Sequence, residues 1–295
     1  MIAKLEMLIA LAQERHFGRA AESLSITQPT LSAGLKQLED HLGVKLVERG
    51  SRFGGLTPEG HRALVMARRI VGDTRRLRDE MRAKKDGLSG KLRLGVIPTA
   101  LTWASRLAAR LTERHPGIGF SIRSTSSQNA LTMLENLELD ACLTYLDNEP
   151  LGRVSTVRLY RETYRLVCHR AHPFAARGRV GWAEVAEQKL CLLTPEMQNR
   201  RIINRNMLEA GKTPEALIEA NSTVVLAATV ARGDWVTILP GDIADFLVAG
   251  KAMAAVPIDD AGHAHAVGLI TEFQEPHTPV LTALMQEAAR LAEAS

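Results

Sequence analysis

Gln28, Ser32, Lys36 and Gln37 share one side of a stretch in which Leu31, Leu35 and Leu38 recur at four and three residues. That spacing predicts a helix with one buried and one polar face. Amide, hydroxyl and ammonium groups on such a face can hydrogen-bond to base edges in a DNA major groove. Just upstream, Arg19 to Leu24 predicts a shorter helix whose small residues, Ala20 and Ala21, let a second helix cross closely. Ser25-Ile26-Thr27 is the turn between them, with Ile26 as its buried plug. Thr27 suits the N-cap of the second helix, and Pro29 fits its first turn, where a missing N–H costs little. The pair predicts a helix-turn-helix with its second helix in the groove. Base reading falls to Gln28, Thr30, Ser32 and Lys36, with Arg19, Thr27, Pro29 and Ala33 on the same surface. Two packed helices of any α-rich domain would share this local pattern, so the flanking segments must decide.

A second set of polar residues sits at predicted strand ends farther along. Pro98-Thr99-Ala100 follows one strand, Ser126 follows the next, and Tyr145 ends a third. Thr194 ends a strand with Asn199, Arg200 and Arg201 just beyond, and Asn221-Ser222 opens a helix. Hydroxyls, amides and an arginine at helix N-termini suit a small anion, a carboxylate above all. Thr99, Ser126 and Ser222 would equally serve as plain N-caps, and Arg200 and Arg201 as a solvated helix end.

Elements must position both sets. Leu5, Leu8, Ile9, Leu11 and Ala12 give an opening helix an apolar stripe. Val44 to Arg49 alternates as a strand, Gly50 to Gly55 is a glycine-rich turn, and Leu56-Thr57 returns. That is a β-hairpin wing, with Arg49 and the tip residue Arg52 placed for phosphate or the minor groove. Thr57-Pro58 opens a long helix in which Ala63, Ala67, Ile70, Thr74, Leu77 and Met81 form a heptad seam. One small domain cannot cover a seam of that length, so a second copy is the expected partner. A hinge follows at 84–90. Strands at 91–98, 120–123 and 140–145 then alternate with helices at 102–114 and 128–138, predicting a parallel sheet with crossovers. A similar unit has strands at 164–168, 190–194, 216–220 and 235–239, with helices at 182–187, 200–210 and 222–231. A strand at 267–270 and a helix at 277–293 return to the first unit. The expected domains are 1–58, a linker helix and hinge at 59–90, and a clamp at 91–295. Its first lobe comprises 91–161 and 268–295, its second 162–267.

Charge agrees with that division. Residues 1–90 hold 16 Lys and Arg against 11 Asp and Glu, whereas residues 91–295 hold 21 against 22. The basic excess belongs to the helix-turn-helix region, as phosphate contact requires. Cys142, Cys168 and Cys191 are odd in number, far apart and set in apolar runs, which predicts buried structural thiols rather than disulfides or zinc ligands, with a redox switch at Cys168 or another thiol as the alternative. The N-terminus reads as a folded helix rather than a signal peptide, and no run spans a bilayer, so the expectation is a cytoplasmic protein that does not engage a membrane. No nucleophile elbow, phosphate loop or dinucleotide glycine pattern occurs. His263-Ala-His265 reads as a surface loop, and His169 and His172 have no nucleophile nearby in the sequence. Neither an enzyme, nor a cofactor, nor a metal is expected. A clamp alone would suit a solute-binding protein, but the basic N-terminal region speaks against one.

The whole assembly resembles the LysR-type transcriptional regulators. The resemblance rests on Phe17-Gly18-Arg19-Ala20-Ala21, on Thr27-Gln28-Pro29-Thr30-Leu31-Ser32, and on Leu35, Leu38-Glu39, Leu42-Gly43, Leu46-Val47, Arg49 and Leu56-Thr57. Asn221-Ser222 and Ile238-Leu239-Pro240 extend it into the sensor. It implies an α/β architecture: a winged helix-turn-helix, a linker helix and a two-lobed, periplasmic-binding-protein-like sensor. It also implies double-stranded promoter DNA as partner, a homodimer through the linker helix assembled into a tetramer, recruitment of RNA polymerase, and a small-molecule effector between the lobes. Residues 144–153 and 192–201 are similar to a subgroup associated with formate dehydrogenase operons. One departure stands out: Ala33 and Gly34 replace the long polar or basic side chains common after Ser32. Gly34 costs about 1 kcal/mol relative to alanine in a helix, and the sequence leaves open whether backbone packing or groove approach requires it.

Overall fold

The computed structural model describes residues 1–49, 53–147, 150–259 and 264–294, without the side chains of residues 49, 75, 76, 79, 80 and 82–86. The chain forms two compact units, Met1–Asp86 and Gly87–Ser295.

The first unit opens with helices α1 (Ile2–Glu14), α2 (Phe17–Ser23) and α3 (Gln28–Leu42). Leu5, Leu8 and Leu11 of α1, Ala20 and Ala21 of α2, and Leu31, Leu35 and Leu38 of α3 are buried together. Ser25 takes the left-handed conformation (φ 56°) that closes the turn, and Ile26 packs half-buried against this core. Thr27 Oγ1 accepts the Thr30 N–H at 3.4 Å, and Gly43 ends α3 at φ 72°. Gly34 is buried against α1, where an added Cβ would run into the Met7 thioether. Its missing side chain therefore serves helix packing.

The wing pairs β1 (Val47–Arg49) with β2 (Phe53–Leu56), antiparallel, Val47 opposite Leu56. The strand starts three residues later than the alternation from Val44 suggests. The cause is Glu39 of α3, 3% exposed, whose Oε1 accepts the N–H groups of Leu46 (3.0 Å) and Val47 (3.3 Å). Those two amides bond to a side chain rather than to the other strand, and the regular pairing begins at Val47. The wing tip with Arg52 lies outside the described residues.

Helix α4 (Pro58–Asp86) is 29 residues long. Thr57 anchors its start, donating to Lys45 O at 2.6 Å and accepting from Gly60 N at 2.9 Å. The expected seam divides in two. Ala67 is buried with Leu64 and Val71 in the unit's own core, which turns that part of the helix inward. Ile70, Leu77 and Met81 stay exposed.

In the second unit, β3 (Ser89–Val96), α5 (Leu101–Arg114), β4 (Gly117–Ser124), α6 (Ser127–Glu135) and β5 (Ala141–Tyr145) make the expected parallel core. Trp103, Leu107 and Leu111 of α5, at helical spacing, pack onto it. The sequence reading missed β6 (Val154–Glu162). The sheet order is β4-β3-β5-β12-β6, and β12 (His265–Glu272) runs antiparallel between β5 and β6. Helix α11 (Pro279–Glu293) packs on α5 and β6, burying Leu284, Ala288 and Leu291.

The other lobe holds β7 (Tyr164–His169), α7 (Trp182–Ala186), β8 (Leu190–Leu193), α8 (Gln198–Glu209), β9 (Ala216–Ala220), α9 (Thr223–Val230) and β10 (Val236–Pro240). Two further elements, α10 (Gly241–Val248) and β11 (Met253–Pro257), complete it, with sheet order β11-β7-β10-β8-β9. Strands β8, β9 and β10 are parallel, whereas β7 runs antiparallel to β10 and β11. The chain passes from lobe to lobe through Thr163, between β6 and β7. No helix among the described residues is long and apolar enough to cross a membrane.

Candidate nucleic-acid interface and ligand cleft

The polar face of α3 is bare. Gln28, Pro29, Thr30, Ser32, Ala33 and Lys36 are all exposed, and Thr27 stands exposed at the N-cap. The opposite face is locked by Leu31, Leu35 and Leu38, so the helix presents these groups in a fixed register. His16 caps α2, its Nδ1 accepting from Gly18 N (3.1 Å) and Arg19 N (3.3 Å). Arg19 reaches back to α1, donating from Nη2 to Glu14 O at 2.7 Å beside a 3.5 Å ion pair with the Glu14 carboxylate. Phe17 meets Phe53 of β2 edge-on at 6.2 Å, tying the start of α2 to the wing. Glu39 performs the same service for α3, with Lys45 Nζ 3.4 Å from its second oxygen. A carboxylate in a helix of mixed charge carries no local signal of this role. The side chain of Arg49, and all of Arg52 and His263, lie outside the described residues.

The second unit has a cleft of about 420 Å³ between its lobes, lined by Pro98, Ser126, Asn221 and Ser222 together with Glu196 and Met197. A much smaller recess, about 10 Å³, holds Thr99, Tyr145 and Asn199, with Pro98 and Met197 on its wall as well. Seven of the ten expected residues thus line one space or the other. Thr194 and Arg200 belong to neither lining, and Ala100 is buried in the core of the unit. Residues at the starts of α6, α8 and α9 line these spaces, so free N–H groups and positive dipole ends converge there. Ser126 Oγ caps α6 through Asn129 N at 3.3 Å. Ser222 makes no side-chain cap. Asn199 is 3% exposed, and neither its Nδ2 nor its Oδ1 has a hydrogen-bond partner; the buried Thr99 hydroxyl lacks one too. Unpaired buried polar atoms of this kind are met in folded proteins by an ordered water, an ion or a ligand.

Arg200 is turned away from the cleft. Its guanidinium donates to Asn204 Oδ1, Leu193 O and Glu219 Oε1, each at 2.8 Å, fastening α8 to β8 and β9. Arg201 wraps the start of α8, donating to Gln198 Oε1 (2.7 Å) and Glu196 O (3.1 Å). Thr194 donates to Glu196 Oε1 at 2.7 Å, which holds that carboxyl below its usual range. The three thiols are buried in β5, β7 and β8. Burial pushes Cys142 up to about 12 and Cys168 and Cys191 to about 11. Among the described residues no cluster of His, Cys, Asp and Glu is placed to hold a metal.

Residues 2–61 match the family described as bacterial regulatory helix-turn-helix protein, lysR family, and residues 85–293 match the LysR substrate binding domain. The chain belongs to the LysR family of transcriptional regulators. LysR-type proteins are DNA-binding regulators rather than enzymes. The chain is 32% identical over 240 residues, 81% of its length and 78% of the relative's, to the DNA-binding transcriptional dual regulator OxyR of Escherichia coli K12. It is 31% identical over 240 residues, 81% of its length and 79% of the relative's, to a hydrogen peroxide-inducible genes activator of Pectobacterium carotovorum. Among solved structures, a full-length OxyR from Pseudomonas aeruginosa, carrying aspartate in place of one cysteine, matches with a TM-score of 0.76 at 26% identity, covering 100% of this chain and 96% of that one. The LysR-type regulator CbnR in complex with its target DNA shares the fold, with a TM-score of 0.70 at 21% identity over 99% and 100% of the two chains.

Proposed function

We propose that this LysR-type regulator reads promoter DNA through the bare face of α3 and takes a small carboxylate into the cleft of its second unit. The unpartnered side chain of Asn199, buried where α6 and α8 begin, carries the ligand reading. Thr99, Tyr145, Ser126, Asn221 and Ser222 supply the remaining hydrogen bonds. A second copy covers Ile70, Leu77 and Met81 on α4, and a pair of such dimers makes the tetramer. Ligand binding then alters how the assembly bends DNA and how RNA polymerase engages it. Formate is the smallest acid of this class, and the resemblance at 144–153 and 192–201 makes formate dehydrogenase genes the first regulon to examine.

The peroxide-inducible activators among its relatives suggest oxidant sensing as a second reading. Three buried thiols with raised pKa make poor peroxide targets, so the anion reading is preferred. Footprinting on the upstream promoter, with formate, acetate, pyruvate or succinate and separately with hydrogen peroxide, tests both. A footprint that shifts with an acid supports the first. One that shifts only with peroxide replaces it with the second, and the absence of a specific footprint removes the α3 assignment.

A further inference from the structure

All three tyrosines of the chain converge on one carboxylate. Glu162 ends β6 in the first lobe, 1% exposed. Tyr145 of β5 donates to its Oε2 at 2.7 Å, and Tyr164, the first residue of the other lobe, donates to the same atom at 3.2 Å. Tyr160 reaches Oε1 at 3.5 Å. The carboxylate thus bridges the lobes beside the Thr163 crossing, without a cation among these partners.

On its far side the carboxylate borders a separate cavity of about 600 Å³ with Arg106, Arg161, Arg165, Asp242 and Asp245 on its lining. His265 stands opposite Glu162 on β12, its ring edge-on to Tyr145 at 6.4 Å. From α5, Trp103 stacks on Tyr160 at 4.6 Å. Asp242 of α10 acts on Tyr160 and is itself held by Trp103 Nε1 and by Arg106 at 3.3 Å. Thr99 lies close enough to draw the carboxyl down, although its hydroxyl reaches no hydrogen-bond geometry. Burial drives Glu162 up to about 7, against the pull of the Tyr145, Thr99, Tyr164 and Tyr160 hydroxyls. Tyr145 also lines the recess with Thr99 and Asn199, so the carboxylate stands one side chain behind the proposed ligand.

We propose that Glu162 is a proton-uptake site coupled to the cleft: an anion held beside Thr99, Tyr145 and Asn199 draws one proton from solvent onto this carboxylate. The inference rests on the carboxylate reading above. Two negative charges separated by a single buried tyrosine oppose one another, and protonation of the fixed one removes the conflict. The site exchanges one negative charge for another, the Glu162 charge for that of the ligand. A neutral Glu162 can also donate a hydrogen bond, which frees the Tyr145 hydroxyl to turn toward the cleft.

The sign is set by the unliganded protein. Glu162 is ionised above about pH 7 and repels the anion; below it the carboxyl is neutral. Formate and acetate stay ionised from about pH 6 to 8.5, so their own titration is not involved in the pH comparison, for which succinate is not used. Affinity should therefore rise from pH 8.5 to pH 6, by up to about tenfold for each unit by which the ligand raises Glu162.

Calorimetry of the full chain with sodium formate, acetate and succinate, in HEPES and in Tris at pH 7.5, reads proton uptake from the difference in heats. The expected result is uptake of part of a proton, tighter binding at pH 6 than at 8.5, and loss of both in Glu162→Gln. Tyr145→Phe, which keeps the carboxyl, should retain uptake but weaken binding. Should Glu162→Gln not fold, the two-buffer comparison on the wild-type chain stands alone. Equal affinity at both pH values without uptake overturns the coupling and leaves the carboxylate reading intact. Uptake that persists in Glu162→Gln assigns the proton elsewhere and also overturns it. No binding of any acid at either pH overturns both.

Discussion

Replacing Glu39 with alanine removes the acceptor of two buried amides at once. Leu46 N and Val47 N lie 3.0 and 3.3 Å from Glu39 Oε1, and Glu39 is 3% exposed. A buried donor left unsatisfied costs about 1–3 kcal/mol, so Glu39→Ala should cost the DNA-binding unit about 2–6 kcal/mol. Glu39→Gln keeps a carbonyl oxygen that can accept both N–H groups and gives up only the charge, about 1 kcal/mol per bond, so it should cost about 1–2 kcal/mol. The Lys45 partner counts for little: its side chain is 64% exposed, so Lys45→Ala should lie within about 1 kcal/mol of wild type. Amide hydrogen exchange, read on peptides covering residues 40–57 of the full chain, separates these cases. The order of protection should be wild type, Lys45→Ala, Glu39→Gln, Glu39→Ala, with DNA affinity following it. If Lys45→Ala loosened the wing as much as Glu39→Ala, the ion pair would be the tie and the amide argument would be wrong.

Gly60→Ala would drive a Cβ into the backbone carbonyl of Leu46, which cannot swing aside; a loss of about 1–3 kcal/mol, seen as a lower Tm of the first unit, is expected. Glu162 gains pKa on folding, from 4.5 to about 7, so its neutral form favours the native state below pH 4.5 and that contribution fades as pH rises to 7. Denaturant titrations of the sensor should lose about 3 kcal/mol across that window, and Glu162→Gln should flatten the slope. Cys142, Cys168 and Cys191 should react with a thiol reagent only after unfolding, and the triple serine variant should keep its DNA response if folded. Gln28→Ala should cost about 1–3 kcal/mol of discrimination between specific and random DNA, with non-specific binding unchanged in a competition assay.

The helix-turn-helix was legible because its determinants are local. Leu31, Leu35 and Leu38 set one face, Ala20 and Ala21 the crossing, and Thr27 the start. The parallel core of the first lobe was legible for a similar reason, since apolar runs alternate with amphipathic helices. Strand β6 was not, because Val154–Glu162 carries two arginines and a glutamate and ends on a buried charge. Its partner β12 lies over a hundred residues away, and only that pairing makes it a strand. Strand β11 hid for lack of side chains to read, being two alanines between Met253 and Val256, and α10 hid behind Pro240-Gly241, which reads as a turn. At the cleft the residue types pointed to helix starts, but they could not say that Arg200 would be spent on Leu193, Asn204 and Glu219. Nor could they show that Gly34 answers to Met7.

Strand β12 sits inside the first lobe's sheet, not at its edge, and α11 follows it almost to the end of the chain. Domains fold as they emerge from the ribosome, N-terminal first. The DNA-binding unit is complete after Asp86, and the second lobe is continuous from Tyr164 to Pro257. The first lobe alone must wait, its sheet split until residues 265–272 arrive. Synthesis therefore favours a DNA-binding unit that is complete before the second unit, and a chain stopped short of β12 should keep the first and lack the second.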